Sequence, residues 1–189
     1  QEEGIVRSGI ISKGGDDITQ EIALAFDTSL EEAKRLKEDY GCSKSSVIKD
    51  EQFIEFEQAV NKDSHYLSSL QLSEVIEEAY IDILLTLKNE LKHHELDTNI
   101  KSGFVLCGGG AQALGCEELV REFFTRRVKM GIVQHNRISG QETILMDYRY
   151  TGSIGLLLHQ DDLSQEDFIM SRGRSGVIEK IKEAITGNF

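Results

Sequence analysis

Apolar positions along this chain alternate between helical and strand-like spacing, which predicts an α/β protein. Gly4 to Ser12 alternates toward β through Ile5, Val6, Ile10 and Ile11, and Gly14 and Gly15 end the pattern. Ile18, Ile22, Ala25 and Phe26 follow at helical spacing. Asp16 or Asp17 can cap that helix by accepting from the free N–H groups of its first turn. A second helix begins after Thr28 and Ser29, with Leu30, Ala33, Leu36 and Tyr40 on one face and Gly41 as its stop. Glu31 and Glu32 lie in its first turn, where carboxylates suit the helix dipole. Residues 42–66 are mixed and polar, with short strands predicted at Val47-Ile48 and over Phe53 to Phe56.

The longest helical signal carries Leu72, Val75, Ile76, Ala79, Ile83, Leu84, Leu87 and Leu91, and predicts a helix from Ser69 to His94. His93 and His94 at its end point about 100° apart, as solvated end residues do, and no metal site is expected. Gly103 to Cys107 predicts a strand buried on both faces. Gln112 to Arg126 predicts a helix with Leu114, Leu119, Val120, Phe123 and Phe124 inward. Val128 to Val133 returns to β character, and Tyr148 to Gln160 predicts a helix packed on a sheet.

Charge changes this picture at one end. The chain of 189 residues has a formal net charge of −12, which argues against nucleic acid as a partner. Residues 1–170 hold 17 Lys+Arg and 31 Asp+Glu, a balance of −14, whereas residues 171–189 hold four basic and two acidic residues, a balance of +2. Within that basic end, Val177, Ile178, Ile181, Ile185 and Phe189 form one apolar stripe on a predicted helix over 176–189. Residues 161–175 before it read as a flexible linker. Such a helix either docks on the body or lies in a membrane interface, where Arg172, Arg174, Lys180 and Lys182 favour anionic lipid. No run of residues reaches the roughly 20 apolar positions of a transmembrane helix. Three cysteines without metal or disulfide spacing predict a reducing compartment. The absence of proline excludes a proline-rich linker, and a start at Gln1 predicts a fragment or a processed product.

The candidate chemistry lies at Gly108, Gly109 and Gly110, between a predicted strand and a predicted helix. Glycines there let the backbone adopt positive φ and approach a nucleotide closely, although tight strand-to-helix turns also use them structurally. The stretch is neither a Walker A loop nor GxGxxG. Cys107 beside it reads as a small hydrophobe rather than a nucleophile, and no catalytic residues are expected.

The run Phe104 to Gly115 resembles the adenosine motif of the actin-like ATPase superfamily and, more narrowly, of the FtsA family of bacterial cell-division proteins. Ile10 to Phe26, Ser29 to Cys42 and Tyr150 to Leu158 resemble other stretches of that family in the same order. The resemblance implies part of an actin-like (ribonuclease H-like) fold, corresponding to the C-terminal half. Residues 1–16 would end the subdomain 2A sheet, 17–101 form subdomain 2B and 102–160 complete 2A with the adenosine motif. A linker over 161–175 and an amphipathic membrane-targeting helix over 176–189 would follow.

The same resemblance implies ATP, with phosphate and Mg2+ contacts mostly from an N-terminal half. Gly108, Gly109 and Gly110 would border the adenosine, Gly15 would lie at the turn into 2B, and Glu32 and Lys37 would face the adenine and ribose. It also implies self-association into filaments and contact with the FtsZ C-terminal tail through 2B, although Asn61 to Gln71 carries only Lys62 and His65 where relatives are often basic. Other divisome proteins and anionic inner-membrane lipid complete the implied partners. The implied location is peripheral, on the cytoplasmic face at the septum, with weak or no ATPase activity. A sugar or acetate-type kinase of the same superfamily, or a PilM-like pilus assembly protein, is the alternative.

Overall fold

A computed structural model describes residues 5, 7–60, 63–96, 100, 102–132 and 142–163. The chain divides into two compact units, Gln1–Gly131 and Ile132–Phe189.

In the first unit, helix α1 (Gly15–Phe26) and helix α2 (Leu30–Tyr40) precede a hairpin of β1 (Phe53–Glu57) and β2 (Ser64–Ser68). Helix α3 (Ser69–His93) leads to β3 (Phe104–Leu106), α4 (Cys116–Phe124) and β4 (Val128–Met130). The strands β1 and β2 are antiparallel, pairing Ile54 with Leu67, while β3 and β4 are parallel, pairing Phe104 with Val128.

Local chemistry explains the element ends. Gly14, not an aspartate, caps α1, and Asp17 reaches back to accept from the Gly14 N–H at 2.6 Å. Asp17 thus supplies the carboxylate half of a capping box, a role that needs the third helical position. Ser29 caps α2 by accepting from the Glu32 N–H at 3.1 Å. Ser68 and Gln71 form a reciprocal capping box that starts α3.

Alternation and helical spacing translate into two cores. Ile18 and Ile22 of α1, Ala33 and Leu36 of α2, Ile54, Phe56 and Leu67 of the hairpin, and Leu72 and Ile76 of α3 form the first. Leu84 of α3 joins Cys116, Leu119, Val120 and Val128 in the second. Tyr80, one turn from both Ile76 and Leu84, packs against each cluster. A single helix therefore crosses both cores, its stripe turning from one to the other.

Several expectations are corrected. Residues 7–12 form no strand, because no other described strand pairs with their N–H and C=O groups, and Ile10 is exposed. A 3-10 turn at Ser45–Val47 replaces the predicted strand at Val47-Ile48, and β2 is a strand that the polar composition of the region concealed. Val105 of β3 is 69% exposed rather than buried, because side chains alternate along a strand and it is the face of Phe104 and Leu106 that packs against a core. A 3-10 turn at Gly109–Gln112 precedes α4, which starts only at Cys116. Leu114, expected inward, is exposed, as are Leu30 and Tyr40 of the predicted face of α2 and Ala25 of α1.

The second unit, taken alone, contains α5 (Glu142–Leu145), a 3-10 turn at Tyr148–Tyr150 and α6 (Thr151–Leu163). Asp147 caps the turn by accepting from the Arg149 N–H and pairs with its guanidinium. The α6 helix buries Ile154 but exposes Leu156 and Leu157, and it runs to Leu163, past the expected end at Gln160. The predicted amphipathic helix, with Val177, Ile178, Ile181, Ile185, Phe189, Arg172, Arg174, Lys180 and Lys182, lies outside the described residues. Among the described residues, no helix is long and apolar enough to cross a membrane.

Candidate functional site

The glycine turn is shaped by its neighbours as much as by its own residues. Gly108 has φ +91°, in the region that disfavours a side chain, and a Cβ there would meet nothing within 4 Å. Its backbone therefore faces open space at the end of β3. Tyr80 of α3 donates its hydroxyl to the Gly110 carbonyl at 2.7 Å, fixing the turn to the long helix. Burial pushes the Tyr80 phenol up, so it stays a protonated donor throughout the neutral range.

Beyond the turn, the chain locks onto the end of α2. The Ser43 N–H and hydroxyl both donate to the Leu114 carbonyl, at 2.8 and 2.9 Å. Ser73 of α3 donates to the Cys42 carbonyl at 2.9 Å, and both serines are fully buried. Gly115, at φ +81°, accommodates this closure: a Cβ would sit 2.8 Å from the Lys44 Cβ. Lys44 in turn pairs with Glu122 of α4. The glycine turn, the start of α4 and the end of α2 are thus held in one hydrogen-bonded junction.

Lys37 lies in the last turn of α2 and reaches α1. Its ammonium donates to the Gly15 carbonyl at 2.7 Å and to the Thr19 hydroxyl at 2.6 Å. Burial holds it below the usual lysine range, opposed by the more distant Asp16 carboxylate. Two of its three protons have these neutral oxygens as acceptors, which leaves capacity for an anionic or polar ligand.

Glu32 takes a different side of α2. Five residues from Lys37 is about 140° around a helix, and Glu32 instead accepts two bonds from Arg35, at 2.8 and 2.7 Å. Arg35 also donates to the Glu55 carbonyl of β1 at 2.9 Å. The Arg35 hydrogen bonds hold the Glu32 carboxyl below its ordinary value. The structure brings Gly15 and Lys37 together and ties the end of α2 to the loop that follows Gly108, Gly109 and Gly110. It does not bring Glu32 to them.

Tyr80, Ser43 and Ser73 are the supporting residues that sequence reasoning missed. Tyr80 had a readable signal: it continues the Leu72, Ile76, Leu84 series at i+4 spacing with a polar tip. The serines had none, because their value comes from partners 31 and 71 residues away. Among the described residues, no group of three His, Cys, Asp or Glu side chains could hold a metal ion.

A sequence-family model for "Cell division protein FtsA" matches residues 1–155. The FtsA protein of Pseudomonas aeruginosa is 26% identical over 99% of this chain, which spans 47% of that protein. The Escherichia coli protein is 27% identical over 78% of the chain and 36% of its own length. The Staphylococcus epidermidis protein is 30% identical over 67% of the chain and 27% of its own length. The chain therefore spans about half, or less, of the curated relatives it matches. Two structures of MreB5 from Spiroplasma citri, bound to ADP and to AMPPNP, superpose with TM-scores of 0.54 and 0.53. They cover 84% and 85% of this chain and 44% of each MreB5 chain, at 17% and 18% identity. That likeness shows part of the actin-like ATPase fold, and with the family match over residues 1–155 it establishes that the chain belongs to the FtsA family of cell-division proteins.

Proposed function

We propose that this chain supplies the glycine-turn half of a nucleotide-binding, actin-like scaffold of cell division. The observation that carries the reading is Gly108, left-handed and facing open space, on a turn anchored by Tyr80. A nucleoside fits there because no side chain keeps it from the backbone. The fold neighbours are bound to ADP and AMPPNP, which supports ATP as the ligand. In this reading Gly108, Gly109 and Gly110 border the adenosine. Lys37, held by Gly15, offers a polar contact from α2, and Glu32 acts only by fixing α2 through Arg35. Mg2+ accompanies the phosphates, with contacts from outside this chain. Turnover is slow or incidental.

Family membership extends the reading to assembly. Residues 17–101 would meet the FtsZ C-terminal tail, and the protein would form filaments and recruit divisome partners. The stripe over Val177 to Phe189 would hold it on the cytoplasmic face of the inner membrane at the septum.

Titration of the full-length protein with a fluorescent ATP analogue tests the nucleotide reading. Gly108→Val and Lys37→Met are each expected to weaken binding about tenfold, the loss of one contact worth roughly 1.4 kcal/mol. Unchanged affinity in both variants would overturn it. Liposome co-sedimentation with and without residues 176–189 tests the tether. Loss of pelleting on deletion supports it, while unchanged binding defeats it.

A further inference from the structure

A run of three glycines suits close backbone approach but is hard to order. Glycine loses more conformational freedom on ordering than any other residue, and fixing each backbone in one conformation costs entropy. A ligand that met a disordered Gly108, Gly109 and Gly110 would have to order them itself and would bind correspondingly weakly. Affinity at this turn therefore depends on what holds it before the ligand arrives.

The turn's own bonds hold it loosely. The Ala111 N–H donates to the Gly108 carbonyl at 3.2 Å, and the Ala113 N–H reaches the Gly110 carbonyl only at 3.4 Å. Both close 3-10 turns, whose hydrogen-bond geometry is poor. The short bond comes from another element: the Tyr80 hydroxyl donates to the same Gly110 carbonyl at 2.7 Å. Tyr80 stands near the middle of a helix of 25 residues, and its ring packs against both cores. The hydroxyl is thus aimed by the helix and not by the loop it holds.

The glycines divide the work. Of the three, Gly108 alone has a positive φ, and a Cβ there would meet nothing within 4 Å. A Cβ on Gly110 would instead point at the Tyr80 hydroxyl oxygen, 3.8 Å away. Gly108 faces open space and Gly110 faces the anchor. We propose that Tyr80 is a positioning residue for the nucleotide, which orders the glycine turn in the ligand-free protein and so sets affinity for the adenosine end without touching the ligand. This inference rests on the nucleotide reading above and extends that site to the middle of α3.

The Tyr80→Phe variant of the full-length protein removes the hydroxyl and keeps the ring in both cores. Circular dichroism and a thermal melt check its fold. Calorimetric titration with adenosine, ADP and AMPPNP should show all three weakened by the same factor. That factor is about tenfold, the cost of ordering roughly one residue's backbone. In the ligand-free variant, the Ala111 and Ala113 amides should exchange hydrogen faster than in the wild type, because the turn opens more often. Adding Gly110→Ala to Tyr80→Phe narrows the conformations open to the turn and should recover about threefold of the loss. The wild type by itself gives a further reading: these two amides are expected to be protected already without nucleotide. Protection that appears only with AMPPNP overturns the proposal without recourse to any variant. Equal affinity of wild type and Tyr80→Phe overturns it and leaves the nucleotide reading standing. A loss confined to ADP and AMPPNP also overturns it, by placing Tyr80 at the phosphates. So does unchanged exchange at Ala111 and Ala113 in the variant, or a double variant no tighter than Tyr80→Phe. Absence of binding to the wild type would overturn the nucleotide reading and this inference with it.

Discussion

The two cores crossed by α3 are enclosed to different degrees. Around Leu72 and Ile76, two helices and a hairpin bring the surrounding core residues to between 0 and 6% exposure. Around Leu84, the cover is one short helix and two strands of three residues each, and the core residues are 3 to 6% exposed, none of them fully buried. Most helical stability in proteins comes from packing an amphipathic face, not from intrinsic propensity. One helix with one continuous stripe therefore gains unequal support along its length. The closed region is a scaffold that positions Lys37 and Gly15. The open region carries the glycine turn, and ligand-facing backbone is expected where local stability is lower.

The largest contrast should appear in thiol reactivity. Cys107 is exposed beside the glycine turn, whereas Cys116 is buried in the second core. Burial pushes the Cys116 thiol up to about 11, so at pH 8 only about a thousandth of it is the reactive thiolate. Timed labelling with a thiol reagent and peptide mapping should find Cys107 modified first, and Cys116 modified only as the second core opens. If Cys116 reacts well before Cys42, which is buried at the junction with α2, the two regions open separately. Simultaneous modification would mean that they open as one.

Matched truncations come next. Leu72→Ala in the first core should cost ~4 kcal/mol and Leu119→Ala in the second ~3 kcal/mol, because a less enclosed site relaxes more around a cavity. Urea titration of the full-length protein reads both, and equal losses would remove the distinction between the regions.

The smallest effect concerns acid. The Arg35 hydrogen bonds hold the Glu32 carboxyl below its ordinary value of 4.5. A carboxyl lowered on folding favours the folded state when ionised. Its contribution is full above about pH 4.5 and disappears as the pH falls through the lower folded value. For this half-buried pair at the surface the contribution is at most ~1 kcal/mol. Glu32→Gln should flatten the stability profile between pH 5 and pH 3 by about that amount in thermal melts. An unchanged profile would assign the acid sensitivity of the first region to other carboxylates.

Much of the framework was legible because it is local. The helices α1, α2 and α3 follow from apolar spacing, and the start of α2 from Thr28 and Ser29, whereas the pairing of Ser68 with Gln71 at the start of α3 went unread. Asp17 was recognised as a terminus signal but given the wrong place in the cap, since the carboxylate and the cap glycine are separable roles. The hairpin partner β2 was hidden, because its Ser64, His65 and Tyr66 are all exposed and show no alternation. The glycine turn was visible as three consecutive glycines, while its anchor Tyr80 was not among the positions read along the long helix.

The sequence by itself determined the helices α1 to α3 and their order, the break at Gly108 to Gly110, and the contrast between an acidic body and a basic end. Each of these depends on spacing or composition within a few turns of chain. Only the tertiary structure decided that Lys37 binds Gly15 while Glu32 turns to Arg35, although both lie on the same short helix. Only it brought the Tyr80 hydroxyl to the Gly110 carbonyl. The physical reason is the same in both cases. A side chain's partner is set by which element lies across from it, and periodicity along one segment carries no information about its neighbour.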